Sequence, residues 1–157
     1  MSRRRAIRLS LPAWGLALVT TTARAGAPSD KAVYRGGTLV LDPSDTGRPS
    51  TSAQDAFLFV YDKGALRIPY DQVNLLEYGQ KAGRRLGLAI VVSPLFLLSK
   101  KHRHYLTIGF LDADGEQQAA VFELGKKIVR STIAGLEART GLEVDFENEQ
   151  ARQAARR

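Results

Sequence analysis

Three short constellations in this chain carry residue types that could do chemistry. His102 and His104 lie two residues apart in an alternating segment, so both imidazoles fall on one strand face, a spacing that can offer two nitrogens to a metal. The surrounding cations oppose such an ion and no third ligand stands nearby, so solvated or stacking histidines are expected. In a site at an anionic surface they would add charge only as pH falls toward about 6.5. Asp112, Asp114 and Glu116 alternate around Gly115 like part of a calcium loop. The remaining ligand positions of such a loop are missing, which predicts a hairpin turn. Gly125, Lys126 and Lys127 open a segment of helical periodicity, where lysines oppose the helix dipole unless they hold an anion. Two solvated lysines are the competing reading. No metal and no cofactor are expected.

The motifs of common catalytic machinery are absent from the sequence. It contains no G-x-S-x-G elbow, no phosphate-cradling glycine loop and no H-E-x-x-H pair. It also contains no cysteine, which excludes disulfides, thiolate ligands and a cysteine nucleophile. A non-enzymatic role is the expectation.

The elements that must position these groups surround one uncharged run, Leu86 to Ser99, flanked by Lys81, Arg84 and Arg85 on one side and Lys100, Lys101 and Arg103 on the other. Apolar surface of this density must be covered, at about 25 cal/mol per Å², while the cations resist following it out of water. As a single helix its 14 residues would reach about 21 Å, short of a bilayer core of about 30 Å. As a single strand it would reach about 46 Å. Ser93-Pro94 predicts a bend, with short pieces over 86–92 and 95–98. Three environments fit: the domain core, a membrane surface, or a partner protein.

The first 25 residues read as a signal peptide. Arg3, Arg4, Arg5 and Arg8 precede a short apolar stretch, and Ala23-Arg24-Ala25 has the form of a cleavage site. The whole chain carries a net charge of +7. Without the leader, 18 basic residues face 16 acidic ones, so the pI near 10 belongs largely to the leader and no nucleic-acid partner is expected. Six Lys and Arg and no acid lie between Glu77 and Asp112, so the rest of the mature chain is net acidic. Positive charge is local to the apolar run.

Downstream of the leader, residues 26–147 read as one domain carrying the apolar insertion 86–99, followed by a polar tail, 148–157, expected to be frayed helix or unstructured. Strands are predicted near 33–41, 56–61 with 65–68, 73–78, and 103–111 with 118–124. A turn-rich loop spans 42–52. Ile128, Val129, Ile133 and Leu136 recur at helical spacing within 126–140, and Gly141 stands where a helix C′ glycine belongs. Leu142, Val144 and Phe146 alternate with acids, predicting a last short strand. The fold class is therefore α+β, mainly antiparallel β: a curved sheet or small barrel with one C-terminal amphipathic helix.

Ile68-Pro-Tyr-Asp-Gln-Val73, Leu76-Glu-Tyr-Gly79, the hairpin Tyr105–Ile108 with Val121–Leu124, and the helix after it resemble pleckstrin-homology-like (PH-like) and GRAM-like domains. The chain also resembles a group of small exported bacterial proteins of unassigned function, through Leu76–Lys81, Gly83–Arg85, Leu98–Lys101 and Leu136–Gly141. Phosphoinositide-binding members of the PH-like class use a basic cluster on the first hairpin. The corresponding loop here, 42–52, holds only Arg48. The resemblance implies an exported, periplasmic binding module. In one reading it meets an anionic membrane surface, with Leu95, Phe96, Leu97 and Leu98 in apolar contact and Arg84, Arg85, Lys100, Lys101 and Arg103 toward headgroups. In the other it is a soluble adaptor for a protein partner, with the run buried.

Overall fold

A computed structural model describes residues 26–79, the backbone of Val91–Val92, and residues 103–156. Strands β1 (Ala32–Gly37), β2 (Thr46–Ser50), β3 (Ala56–Tyr61) and β4 (Gly64–Pro69) are followed by a 3-10 turn at Tyr70–Gln72 and β5 (Val73–Tyr78). Then come β6 (Val91–Val92), β7 (His104–Leu111), β8 (Gln117–Leu124), helix α1 (Val129–Thr140), β9 (Asp145–Phe146) and helix α2 (Glu149–Arg156). The strand order is β4-β3-β2-β1-β8-β7-β5-β9, with β6 beside β1. Every pairing is antiparallel except that of β5 with β9. The sheet does not close into a barrel; its ends are β4 and β9.

Aromatic and branched residues on one sheet face build the core. Phe122 of β8 lies edge-on to Tyr34 and Phe57 at 5.9 and 5.7 Å and touches Phe59 at 4.9 Å, within the preferred range for such pairs. Leu106 and Ile108 of β7 and Leu76 of β5 continue the layer, and α1 covers it with Val129, Ile133 and Leu136. Leu136 is fully buried, at the centre of the apolar stripe that the spacing predicts.

Four differences from the sequence reading have physical causes. The loop 42–52 contains strand β2, which pairs with β1 and β3 despite Pro49. Pro49 lies past the last β1 partner, Gly47, so its missing N–H removes no bond to that strand. Helix α1 starts at Val129 rather than Lys126, because the Ile128 N–H closes a turn onto the Gly125 carbonyl. The last strand is only Asp145–Phe146 and runs parallel to β5. The polar tail is an ordered helix: Asn148 Oδ1 accepts the Ala151 N–H at 2.8 Å, and Ala155 is buried in the core. Within the run 86–99, Val92 and Val91 pair with Gly36 and Gly37 of β1; the rest of that run lies outside the described residues.

Candidate functional site

Strands β7 and β8 are buried on both faces, which ordinary half-buried alternation does not anticipate. The face opposite the aromatic core carries a polar cluster. Arg35 of β1 binds Oε2 of Glu123 through Nε and Nη2, each at 2.7 Å, and its Nη1 approaches the Pro43 carbonyl at 3.4 Å. Arg103 Nη1 reaches both oxygens of the same carboxylate, at 3.1 and 2.9 Å. The Ala27 N–H donates to Oε1 at 2.9 Å. Arg35 and Glu123 are each almost fully buried. Such groups survive burial when paired and hydrogen-bonded. Tyr105 stands opposite Glu123 across the ladder, and Thr107 is two residues on. Their hydroxyls are buried, with no hydrogen-bond partner among the described residues. Burial, followed by the Glu123 charge, raises the Tyr105 pKa.

At the end of β5 and β7 a second pair forms on the core face. The Tyr78 hydroxyl lies 2.5 Å from His104 Nδ1, with the rings stacked at 6.2 Å. Burial pushes the Tyr78 pKa up to about 12, so the phenol keeps its proton, and which partner donates in this bond is set by the imidazole tautomer. His104 is held below its ordinary pKa, first by burial and then by the Lys126 charge, with Glu123 opposing. Tyr78, Gly79, Arg103 and His104 form one wall of a cleft of about 390 Å³; Glu147, Asn148 and α2, through Gln150, Ala151 and Ala154, form the other. A shallower hollow on the far side of Arg103 and His104 is lined by Gly26, Glu123 and Lys126.

Of the residues singled out from sequence for membrane or partner contact, Arg84, Arg85, Leu95, Phe96, Leu97, Leu98, Lys100 and Lys101 lie outside the described residues, as does His102. Arg103 is described, and its guanidinium is committed to Glu123 with its side chain 14% exposed. In the candidate anion site, the Gly125 and Lys127 N–H groups donate to the Lys31 and Ser29 carbonyls, while both lysine side chains are exposed. Helix α1 begins two residues later, so these amides are occupied by the chain itself. Asp112 forms the expected turn: its Oδ1 accepts the N–H groups of Asp114 and Glu116, and the Gly115 N–H closes onto its carbonyl. The Asp112 pKa is lowered, most by the Glu116 amide, then by the Gln118 side-chain amide on Oδ2 and by the Asp114 amide. No group of three or more potential metal ligands exists among the described residues.

Sequence reading missed the Arg35–Glu123–Arg103 cluster. Its signal is present: a single arginine inside Val33–Gly37 and a single glutamate inside Val121–Leu124 interrupt otherwise apolar strands. No known family model matches this chain, and no curated protein is significantly similar to it.

Proposed function

We propose that this chain is an exported, periplasmic, non-enzymatic binding module of PH-like or GRAM-like architecture that works at an anionic membrane surface. The observation that carries the reading is the base of the insertion. Strands β5 and β7 are antiparallel neighbours, Tyr78 stands opposite Leu106, and the Gly79 N–H donates to the Tyr105 carbonyl at 3.1 Å. Residues 80–102 therefore leave and re-enter the sheet at one place. In the sequence Lys81, Arg84 and Arg85 follow the exit closely, and Lys100 and Lys101 precede the return, so we read the two basic flanks as one patch. Each contributes up to about 1 kcal/mol near an anionic surface. Val91 and Val92 pair with β1, and on this reading the apolar contact is made beyond them, by Leu95, Phe96, Leu97 and Leu98. The mainly antiparallel sheet and the helix α1 after its last long strand support the architecture.

The test is flotation with vesicles containing anionic lipid, at low and high salt. Binding that weakens at least tenfold on raising salt, and again in Arg84→Glu/Arg85→Glu/Lys100→Glu/Lys101→Glu, supports the proposal. Absent or salt-independent binding overturns it. Arg103 is left intact because it is also bonded to Glu123 inside the fold. The second reading is a soluble adaptor with the whole run buried, and the β6–β1 pairing favours it. Strong hydrogen-exchange protection across 86–99, without vesicle binding, would select it.

A further inference from the structure

We infer that the cleft between the β5–β7 end of the sheet and helix α2 binds a small amphiphile with an apolar chain and a carboxylate head. The two walls differ in kind. Ala151 and Ala154 of α2 offer methyl groups, with the Tyr78 ring opposite. His104 and Arg103 stand together at the root of β7. In the tautomer whose Nδ1 accepts the Tyr78 hydroxyl, the neutral ring carries its proton on Nε2. Among the described residues that N–H has no acceptor, and His104 is only half-buried. It is then a donor held in one orientation by the Tyr78 bond, at the edge of a concave apolar surface. The Arg103 guanidinium beside it adds positive charge while keeping its bonds to Glu123.

A few placed polar groups within an apolar cleft are the usual makeup of a small-molecule site, and about 390 Å³ falls in the usual size range. At the roughly 30 Å³ that a water molecule occupies in liquid, the cleft accommodates about a dozen heavy atoms.

Decanoate is a probe of the right size, with decanol and acetate as its two halves. Calorimetry on the purified protein is expected to show one decanoate site, with decanol at least tenfold weaker and acetate undetectable. The His104 ring resonances should shift as the site fills. Ala154→Trp, on the exposed side of α2, should block the cleft without unfolding the domain. His104→Phe, which keeps a ring but loses the donor, should reduce decanoate to the level of decanol. Decanoate binding that survives Ala154→Trp, saturation without a His104 shift, or no binding at all overturns the inference. Vesicles doped with oleate then separate capture from a bilayer from capture out of water. The decanoate arm contains no membrane, so it stands or falls independently of the surface reading above.

Discussion

Glu123 is the residue on which the second sheet face depends. One buried carboxylate accepts from Arg35, Arg103 and the Ala27 N–H, joining β1, β8, the root of β7 and the segment ahead of β1. Removing it would take from both guanidinium groups the carboxylate they share, in a site where Arg35 is almost fully buried. Glu123→Ala is expected to destabilise the fold by about 3–5 kcal/mol in urea denaturation, and Glu123→Gln, which keeps part of the hydrogen bonding, by less. A loss under about 1 kcal/mol would mean that solvent reaches the cluster. His104 makes the pH dependence testable. The unfolded ring takes up a proton near pH 6.5, and the folded ring only at lower pH because burial opposes its charge. Between those two values the unfolded chain binds more protons, so its contribution to stability is present above about 6.5 and is lost as pH falls. Denaturation midpoints should fall between pH 7.5 and 5.5, and His104→Phe should flatten that slope. These charges were legible as interruptions in apolar strands, but their partnership was not, because Arg35 and Glu123 are 88 residues apart and meet only through the β1–β8 register.

Elements with a strong local signal were read correctly, and those that depend on neighbours were not. The β3–β4 hairpin shows in its aromatic strand and the Asp62-Lys63-Gly64 connection, and the structure pairs Tyr61 with Gly64. Strand β2 has no such signal, since Thr-Gly-Arg-Pro-Ser becomes a strand only because β1 and β3 offer bonds on either side. Helix α2 is equally hidden: its contact with the core is made by small alanines, Ala151 and Ala155, in a polar sequence. The end of α1 was legible, because Gly141 sits in the left-handed region at φ 71° and donates to the Glu137 carbonyl. No atom lies within 4 Å of where its Cβ would sit, so Gly141→Ala isolates the backbone cost. A loss of about 1 kcal/mol is expected in thermal or urea unfolding. Gly135, inside the same helix, is the contrasting case. A Cβ there would meet Thr51 Oγ1 at 2.2 Å and Thr51 Cβ at 2.8 Å, so the clash should outweigh the helix-propensity gain of up to about 1 kcal/mol. Gly135→Ala alone should destabilise, while combining it with Thr51→Gly should recover part of the loss. A purely additive double mutant would refute the contact as the cause.

Across the whole molecule, the sheet's strand order brings distant parts of the chain to one end. The insertion leaves and returns at the β5–β7 end, β9 lies parallel to β5 there, and α2 forms the outer wall of the cleft. Sequence reading recognised the run 86–99 as an interruption between two strands. It could not show that those strands are direct neighbours, because hairpin length is no guide when more than twenty residues intervene. That adjacency makes a decisive deletion possible. The Gly79–Tyr105 bond already closes the base, so residues 80–102 can be exchanged for Asn-Gly, a short hairpin connection, while Arg103 stays on Glu123. The shortened protein loses the β6 pairing with Gly36–Gly37 and the cover it places on β1, so a lower denaturation midpoint is expected. The aromatic core around Phe122 is built entirely from β1, β3 and β8 together with Tyr34, Phe57 and Phe59, none of which is deleted. Cooperative unfolding should therefore persist. If the insertion is the surface contact, vesicle binding disappears while the decanoate cleft, lined by Tyr78, His104 and α2, still fills. If the shortened chain fails to fold, the run is part of the domain's own core and the adaptor reading takes its place.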